Sequence, residues 1–173
     1  MPPWTAPERA DVPYDADERT LLEAFLDFHR DTLLVKCAGL TGEQLAERSV
    51  PPSGLSLHGL LRHLSGVERY WFRHGWQGDL PDFYSTAENP DGDFDDTDPA
   101  RVDEDLATYR SEVAAAREEA ARHELDDTVE KRREGRPRAV SLRWIYIHMI
   151  EEYARHNGHA DLLRERVDGA TGE

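Results

Sequence analysis

Four ionisable side chains near the C-terminal end of the chain have the spacing of neighbours on one helix. His148, Glu152, His156 and His159 are separated by four, four and three residues. Side chains three or four residues apart on a helix lie next to each other. An imidazole or a carboxylate beside an apolar face needs a partner, because burying an unpaired charge is costly. A divalent metal ion is a partner that both residue types can bind.

The helical period indicates which of these side chains point toward the core. With about 100° of turn per residue, His156 falls within the apolar face and Glu152 at its edge, whereas His148 and His159 lie further round. His148 and His156 differ by roughly 80° in direction, which disfavours a shared ion. Glu152 and His156 are therefore the preferred pair. The apolar face is formed by Leu142, Ile145, Tyr146, Met149, Tyr153, Ala160, Leu163 and Val167.

A catalytic zinc site usually has three protein ligands, so the third ligand must come from another helix. Residues from Ser56 to about Gly75 have the apolar period of a helix. His63 lies beside the apolar stripe of this second helix, and His58 is predicted to point to the opposite side. His63 is thus the best candidate for the third ligand.

The elements that must position these residues are helical. The first helix is predicted from a cap at Asp15 or Asp17 to Ala38, and the third begins after Asp98-Pro99. Ser141 opens the fourth helix, which ends at Asp168-Gly169. The fold class is all-α, a four-helix bundle with a long loop, residues 77–98, after the second helix. One domain spans residues 1–173, with a Pro-rich N-terminal arm at residues 1–15.

The charge of the chain bounds its partners and its compartment. It has 36 acidic and 21 basic residues and a formal net charge of −15, which argues against nucleic acid and anionic membranes as partners. The single cysteine, Cys37, excludes a disulfide within the chain and favours the cytoplasm. No apolar run approaches a membrane span. Residues 126–138 are predicted to form either a hairpin-like excursion or a flexible loop. The basic cluster within them, residues 131–133, is either solvated or faces an anionic substrate.

Each candidate residue also has a simpler interpretation. His63 suits a core-edge histidine bonded to a carbonyl or carboxylate, and Glu152 with His156 suits an ordinary helix-surface pair. His148 and His159 suit solvated residues, or partners that fix the tautomer of a ligand. Arg164 suits an ion pair with a carboxylate such as Glu68 or Glu165, or a position beside the metal ligands like that of His148 and His159. A hydrogen-bonded polar core without metal is the corresponding alternative for the whole cluster.

Two segments resemble signatures of the DinB-like superfamily. LLRHLSGVERYW at residues 60–71 resembles the motif of its second helix, and IHMIEEYARHNGHADLLRE at residues 147–165 resembles that of its last helix. Members are four-helix bundles in which three side chains, usually histidines, bind one divalent metal. Glu152 in the middle position resembles the branch containing mycothiol-dependent maleylpyruvate isomerase, whose ligands are His, Glu and His. The resemblance thus implies His63, Glu152 and His156 as ligands of zinc or nickel.

The same resemblance implies a function. The superfamily includes bacillithiol and mycothiol S-transferases, and the last-helix run is similar to actinobacterial members labelled mini-circle proteins. We therefore expect a metal-dependent S-transferase that joins a low-molecular-weight thiol such as mycothiol to an electrophile, and a homodimer is a form known among such relatives. A metal-dependent hydrolase and a non-catalytic metal-binding or stress-response protein are the alternatives.

Overall fold

The computed structural model of the protein describes residues 4–133 and 136–172. The chain is mainly helical, as the sequence predicts, and a small antiparallel sheet lies between the last two helices. The helices are α1 (Glu18–Cys37), α2 (Gly42–Ala46), α3 (Leu57–Glu68), α4 (Gly92–Asp95), α5 (Val102–Ala120) and α6 (Leu142–Asp168). The strands are β1 (Thr128–Arg133) and β2 (Arg136–Ser141). A π-helical turn, Arg69–Arg73, continues α3, and a 3-10 turn, Pro99–Arg101, precedes α5.

Three of the four long helices begin with a side-chain cap at a position where the sequence predicts a helix start; the predicted cap Asp98 instead caps the 3-10 turn before α5. Asp17, Ser56 and Ser141 each accept a hydrogen bond from the backbone N–H three residues further along. Such a bond satisfies one of the N–H groups that a helix leaves unpaired at its start. At the other end of α6, Gly169 adopts a left-handed conformation with φ +78°, which favours glycine. In the predicted arm, residues 4–15 form no helix or strand, and residues 1–3 lie outside the described part.

The core lies between amphipathic helices that pack in pairs. α1 packs along α6, α3 packs along α5, and α6 also contacts α3. Leu60 and Leu64 of α3 and Met149 and Tyr153 of α6 are fully buried in this core. The packing fixes the rotation of both helices, and it places the His63 side of α3 opposite the Glu152 side of α6. Within residues 4–133 and 136–172, none of the helices has both the length and the apolar character needed to cross a membrane.

The basic region after α5 is a regular hairpin, which decides between the two predicted alternatives and adds a sheet to the expected all-α fold. Its register pairs Thr128 with Ser141 and Lys131 with Arg138. Val129 and Lys131, two residues apart on one face of β1, are 7% and 2% exposed. The Lys131 ammonium donates to the backbone carbonyls of Tyr70 and His74. The cluster is therefore not simply solvated, because its first residue, Lys131, anchors the hairpin. Glu134 and Gly135 lie outside the described residues.

The predicted long loop after the second helix packs against α3 and contains the short helix α4. The buried Arg62 guanidinium donates to the carbonyl oxygens of Gly92 and Asp93, at 2.9 and 3.0 Å. Gly59 permits this contact, because a Cβ there would lie 2.9 Å from the Phe94 ring. These contacts hold Asp93 and Phe94 beside the next turn of α3, which carries His63.

Candidate metal centre

Three side chains converge where α3 faces α6. Nε2 of His156 lies 3.2 Å from Oε1 of Glu152, and Nε2 of His63 lies 3.5 Å from the same oxygen. The imidazole centroids of His63 and His156 are 4.9 Å apart. One donor atom from each residue lies within 4.8 Å of the others. The structure thus brings together the three side chains that helical spacing selected.

The spacing of these donors suits a metal ion. Ligands about 2.0–2.1 Å from a tetrahedral zinc are roughly 3.3 Å from one another, close to the 3.2 and 3.5 Å observed. The charge-assisted hydrogen bonds of a polar core are shorter, about 2.7–2.9 Å. Two imidazole nitrogens and one carboxylate oxygen are donors that suit zinc and nickel. The side chains of His63, Glu152 and His156 retain 24, 14 and 11% exposure, which leaves a path for a small molecule.

Asp93 orients His63 from the side away from Glu152. Its Oδ2 lies 2.7 Å from Nδ1 of His63, and the Phe94 ring stacks on the same imidazole with centroids 5.1 Å apart. A carboxylate at Nδ1 holds the ring proton there and directs the Nε2 lone pair toward Glu152. Sequence reasoning did not identify Asp93, because a residue in an acidic loop has no period that marks it. The only available signal was that a metal-binding histidine usually has such a partner.

The electrostatics of the cluster favour positive charge at its centre. Burial opposes protonation of His63, but hydrogen bonds to the Asp93 and Glu152 carboxylates prevail and raise its pKa to about 9. Hydrogen bonds from His156 and then His63 lower the pKa of Glu152 well below its ordinary value. A divalent cation placed among these donors would satisfy the same electrostatic demand without those protons.

The three residues predicted as outer partners differ in position. Nδ1 of His159 lies 3.4 Å from Nδ1 of His156, so it can fix that ligand's tautomer. A ring nitrogen of His148 lies within 4.8 Å of a Glu152 carboxylate oxygen, which also places it beside the cluster. Arg164 has another role: it donates to the carbonyls of Lys36 and Ala38 and pairs with Asp168. It joins α6 to the end of α1, which corrects its predicted place beside the ligands and its predicted pairing with Glu68 or Glu165.

His58 lies on a different face of α3 from His63, and this face is buried. The side of α3 opposite the stripe is covered by α5 rather than solvent, and His58 is only 1% exposed. Its Nε2 lies 2.7 Å from Oδ2 of Asp105, which also accepts from Arg62 at 3.2 Å. The Tyr84 hydroxyl donates to the other oxygen of Asp105. His58 is thus part of a buried polar network that joins α3, α5 and the loop before α4.

Comparison with known protein families identifies the family of the chain. A family model described as mycothiol S-transferase matches residues 21–169, which include all the helices named above except the first turn of α1. No curated protein matches the chain. The matched region is most of the chain, and the protein therefore belongs to the mycothiol S-transferase family.

Proposed function

We propose that this member of the mycothiol S-transferase family is a metal-dependent enzyme that transfers a small thiol, mycothiol or a close analogue, to an electrophile. His63, Glu152 and His156 would hold one zinc or nickel ion. The observation that carries the proposal is the convergence of these three donors from two helices, together with the Asp93 carboxylate behind His63. Three protein ligands leave a coordination position for a substrate.

The proposed transfer is a nucleophilic substitution by the sulfur of the thiol. The thiol loses its proton to solvent, its sulfur forms a C–S bond, and the leaving group departs with the electron pair of the broken bond. The bound ion would lower the pKa of the thiol, so that the sulfur is a thiolate near neutral pH.

The residues of the chain prepare the site for this reaction. Asp93 keeps the His63 proton on Nδ1, so that Nε2 remains a donor. Two neutral imidazoles and one carboxylate leave a net positive charge with a divalent ion, which attracts an anionic sulfur. The Phe94 ring covers one face of His63 and excludes water from it.

We also propose that the protein is a single-domain four-helix bundle of the cytoplasm. The pairwise packing of α1 with α6 and α3 with α5 supports a four-helix bundle, with residues 1–173 as one domain. The buried, unpaired Cys37 supports a reducing compartment, the cytoplasm. The homodimer remains a proposal, and light scattering of the purified protein tests it.

Elemental analysis of the purified protein tests the ligand set. We expect about one zinc or nickel per chain in the wild type and none in His63→Ala or His156→Ala, because a zinc site needs all three protein ligands. His74→Ala is the matched control, since His74 is a partly exposed histidine close to α3. Full metal content in both ligand variants would refute the assignment.

Turnover distinguishes the proposed function from its alternatives. Mycothiol and chlorodinitrobenzene should give a coloured thioether with the wild type and not with His63→Ala. Hydrolysis of ester substrates without any thiol would support the hydrolase instead. Stoichiometric metal with neither activity would support a non-catalytic metal-binding protein.

A further inference from the structure

A cavity lies between the hairpin and the start of α6. We call it the hairpin cavity; it has a volume of about 650 Å³, within the range of pockets that bind small molecules. Its wall includes Trp71, Trp144, Val140, Thr128, Lys131 and Arg138. Neither the three proposed ligands nor Asp93 lies in this wall, so the cavity is separate from the metal centre.

Two indole rings give the hairpin cavity an apolar, aromatic wall. The centroids of Trp71 and Trp144 are 5.2 Å apart and their planes are inclined by 51°. Trp144 is 36% exposed although it is one of the largest apolar side chains of α6. A tryptophan used only for packing would be buried more completely. The rings therefore offer stacking surfaces to a planar ligand.

The hairpin cavity is linked to the metal centre by direct contacts. The His148 imidazole stacks on Trp144, with centroids 4.9 Å apart and planes inclined by 15°, and meets Trp71 edge-on at 4.5 Å. A ring nitrogen of His148 lies within 4.8 Å of a Glu152 oxygen. Trp71 also lines a different cavity, of about 300 Å³, whose wall includes His63. Trp71 is thus a wall shared by the two cavities.

The two cavities differ in charge. The cavity at His63 is lined by Asp82, Asp91 and Asp93 and by one cation, Arg62, which is paired with Asp105. The aspartates can accept hydrogen bonds from a hydroxyl-rich thiol. The charged residues in the wall of the hairpin cavity are the cations Lys131 and Arg138. In a chain with a net charge of −15, such a pairing of cations with aromatic rings favours an anionic planar ligand. Lys131 is held by backbone carbonyls, so Arg138 is the cation available to it.

We propose that the hairpin cavity is the electrophile subsite, and that it takes planar aromatic compounds that carry a carboxylate or sulfonate. The aromatic ring stacks on Trp144 and meets Trp71 at an angle, and Arg138 pairs with the anionic group. The thiol occupies the cavity at His63, and the two substrates meet at the edge of Trp71, which lines both cavities. This inference rests on the proposed function. With an aryl chloride the C–S bond forms, chloride leaves with the bonding pair, and the thiol proton passes to solvent.

Binding of an unreactive probe tests the cavity without turnover. Naphthalenesulfonate should bind the wild type in calorimetry, and naphthalenesulfonamide, its neutral analogue, more weakly. Trp144→Ala and Arg138→Ala should each weaken binding of the sulfonate on the order of fivefold, since each removes a stacking or a charged contact. Ile147→Ala and Arg132→Ala are the matched controls, because both residues are exposed and lie outside the cavity wall. Ile147 lies on α6 with Trp144, and Arg132 lies on β1, the strand that pairs with that of Arg138.

Trp144→Phe should restore most of the affinity, which separates a stacking role from damage to the fold. Equal affinity in Trp144→Ala and Ile147→Ala would overturn the stacking assignment. Equal affinity in Arg138→Ala and Arg132→Ala would overturn the assignment of the anion partner.

Kinetics separate a failure of this inference from a failure of the proposed function. Arg138→Ala should raise the KM for chlorodinitrobenzoate on the order of fivefold and leave the KM for the thiol and for neutral chlorodinitrobenzene unchanged. Normal transferase activity with no change in any KM would refute the subsite alone. Probe binding that depends on Trp144, in a protein with neither metal nor turnover, would refute the proposed function and the electrophile role together. His63→Ala should bind the probe normally while it loses metal and activity.

Discussion

At the scale of single residues, Asp93 is the side chain outside the ligand set with the clearest effect on it. Asp93→Asn removes the charge that holds the His63 proton on Nδ1. Loss of such a partner costs about 10–100-fold in metal affinity, and titration against a chelator of known affinity measures the change. Asp91→Asn, an exposed residue of the same loop, should leave the affinity unchanged. An equal loss in both variants would show a general electrostatic effect instead.

Cys37 gives the second prediction at this scale. Its side chain is 1% exposed, and burial raises the pKa of its thiol to about 12. The thiolate is the reactive form, so the native protein should not react with Ellman's reagent at neutral pH, and one thiol per chain should appear in denaturant. Cys37→Ala should keep transferase activity, because the sulfur of the reaction belongs to the substrate. Rapid labelling of the native protein would contradict the described burial.

At the scale of elements, one buried network joins the four long helices. Arg30 of α1 makes two 2.7 Å hydrogen bonds to Glu68 of α3, which is fully buried. The Tyr153 hydroxyl of α6 donates to Glu68 at 2.8 Å and lies 3.0 Å from that of Tyr109 of α5. A charge pair at this position satisfies both buried groups, and it orients the helices relative to one another.

Breaking this pair on one side should destabilise the protein strongly. Arg30→Met leaves the Glu68 charge buried and unpaired, which costs about 3–5 kcal/mol in the free energy of unfolding. Urea denaturation measures the loss. The exposed pair Arg101–Glu104 is the control, and Arg101→Met should leave the urea midpoint close to that of the wild type, because solvent screens an exposed ion pair. The double variant Arg30→Met/Glu68→Met should recover much of the loss; a double variant as unstable as the single one would refute the unpaired-charge explanation.

At the scale of the whole molecule, the proposed metal should stabilise the fold. Its ligands come from α3 and α6, which are distant in sequence, so only the folded chain presents them together. Free zinc at 100 times its Kd adds about 2.7 kcal/mol to the free energy of unfolding. A chelator should therefore lower the Tm of the wild type and leave that of His63→Ala unchanged. An equal decrease in both proteins would place the effect elsewhere in the chain.

Periodicity in the sequence predicted much of the fold. The stripes of α3 and α6, and the helix starts at Ser56 and Ser141, depend on local chemistry that a single helix already has. The same local geometry selected Glu152 and His156, since they are four residues apart on one helix. The family resemblance independently implied the same ligands, and the mainly helical class is confirmed. The ligand set itself remains a prediction until metal is measured.

What only the tertiary structure decided involves residues far apart in the chain. Asp93 reaches His63 across 30 residues because Arg62 and Gly59 hold α4 against α3. His58 is buried because α5 covers a face of α3 that the apolar pattern did not mark. The hairpin packs against the helices because Val129 and Lys131 are buried there. The packed hairpin forms one wall of the cavity at Trp71 and Trp144. The sequence thus determined which faces are apolar and which side chains are neighbours on one helix; packing determined which surfaces meet, because contacts between distant segments have no local period.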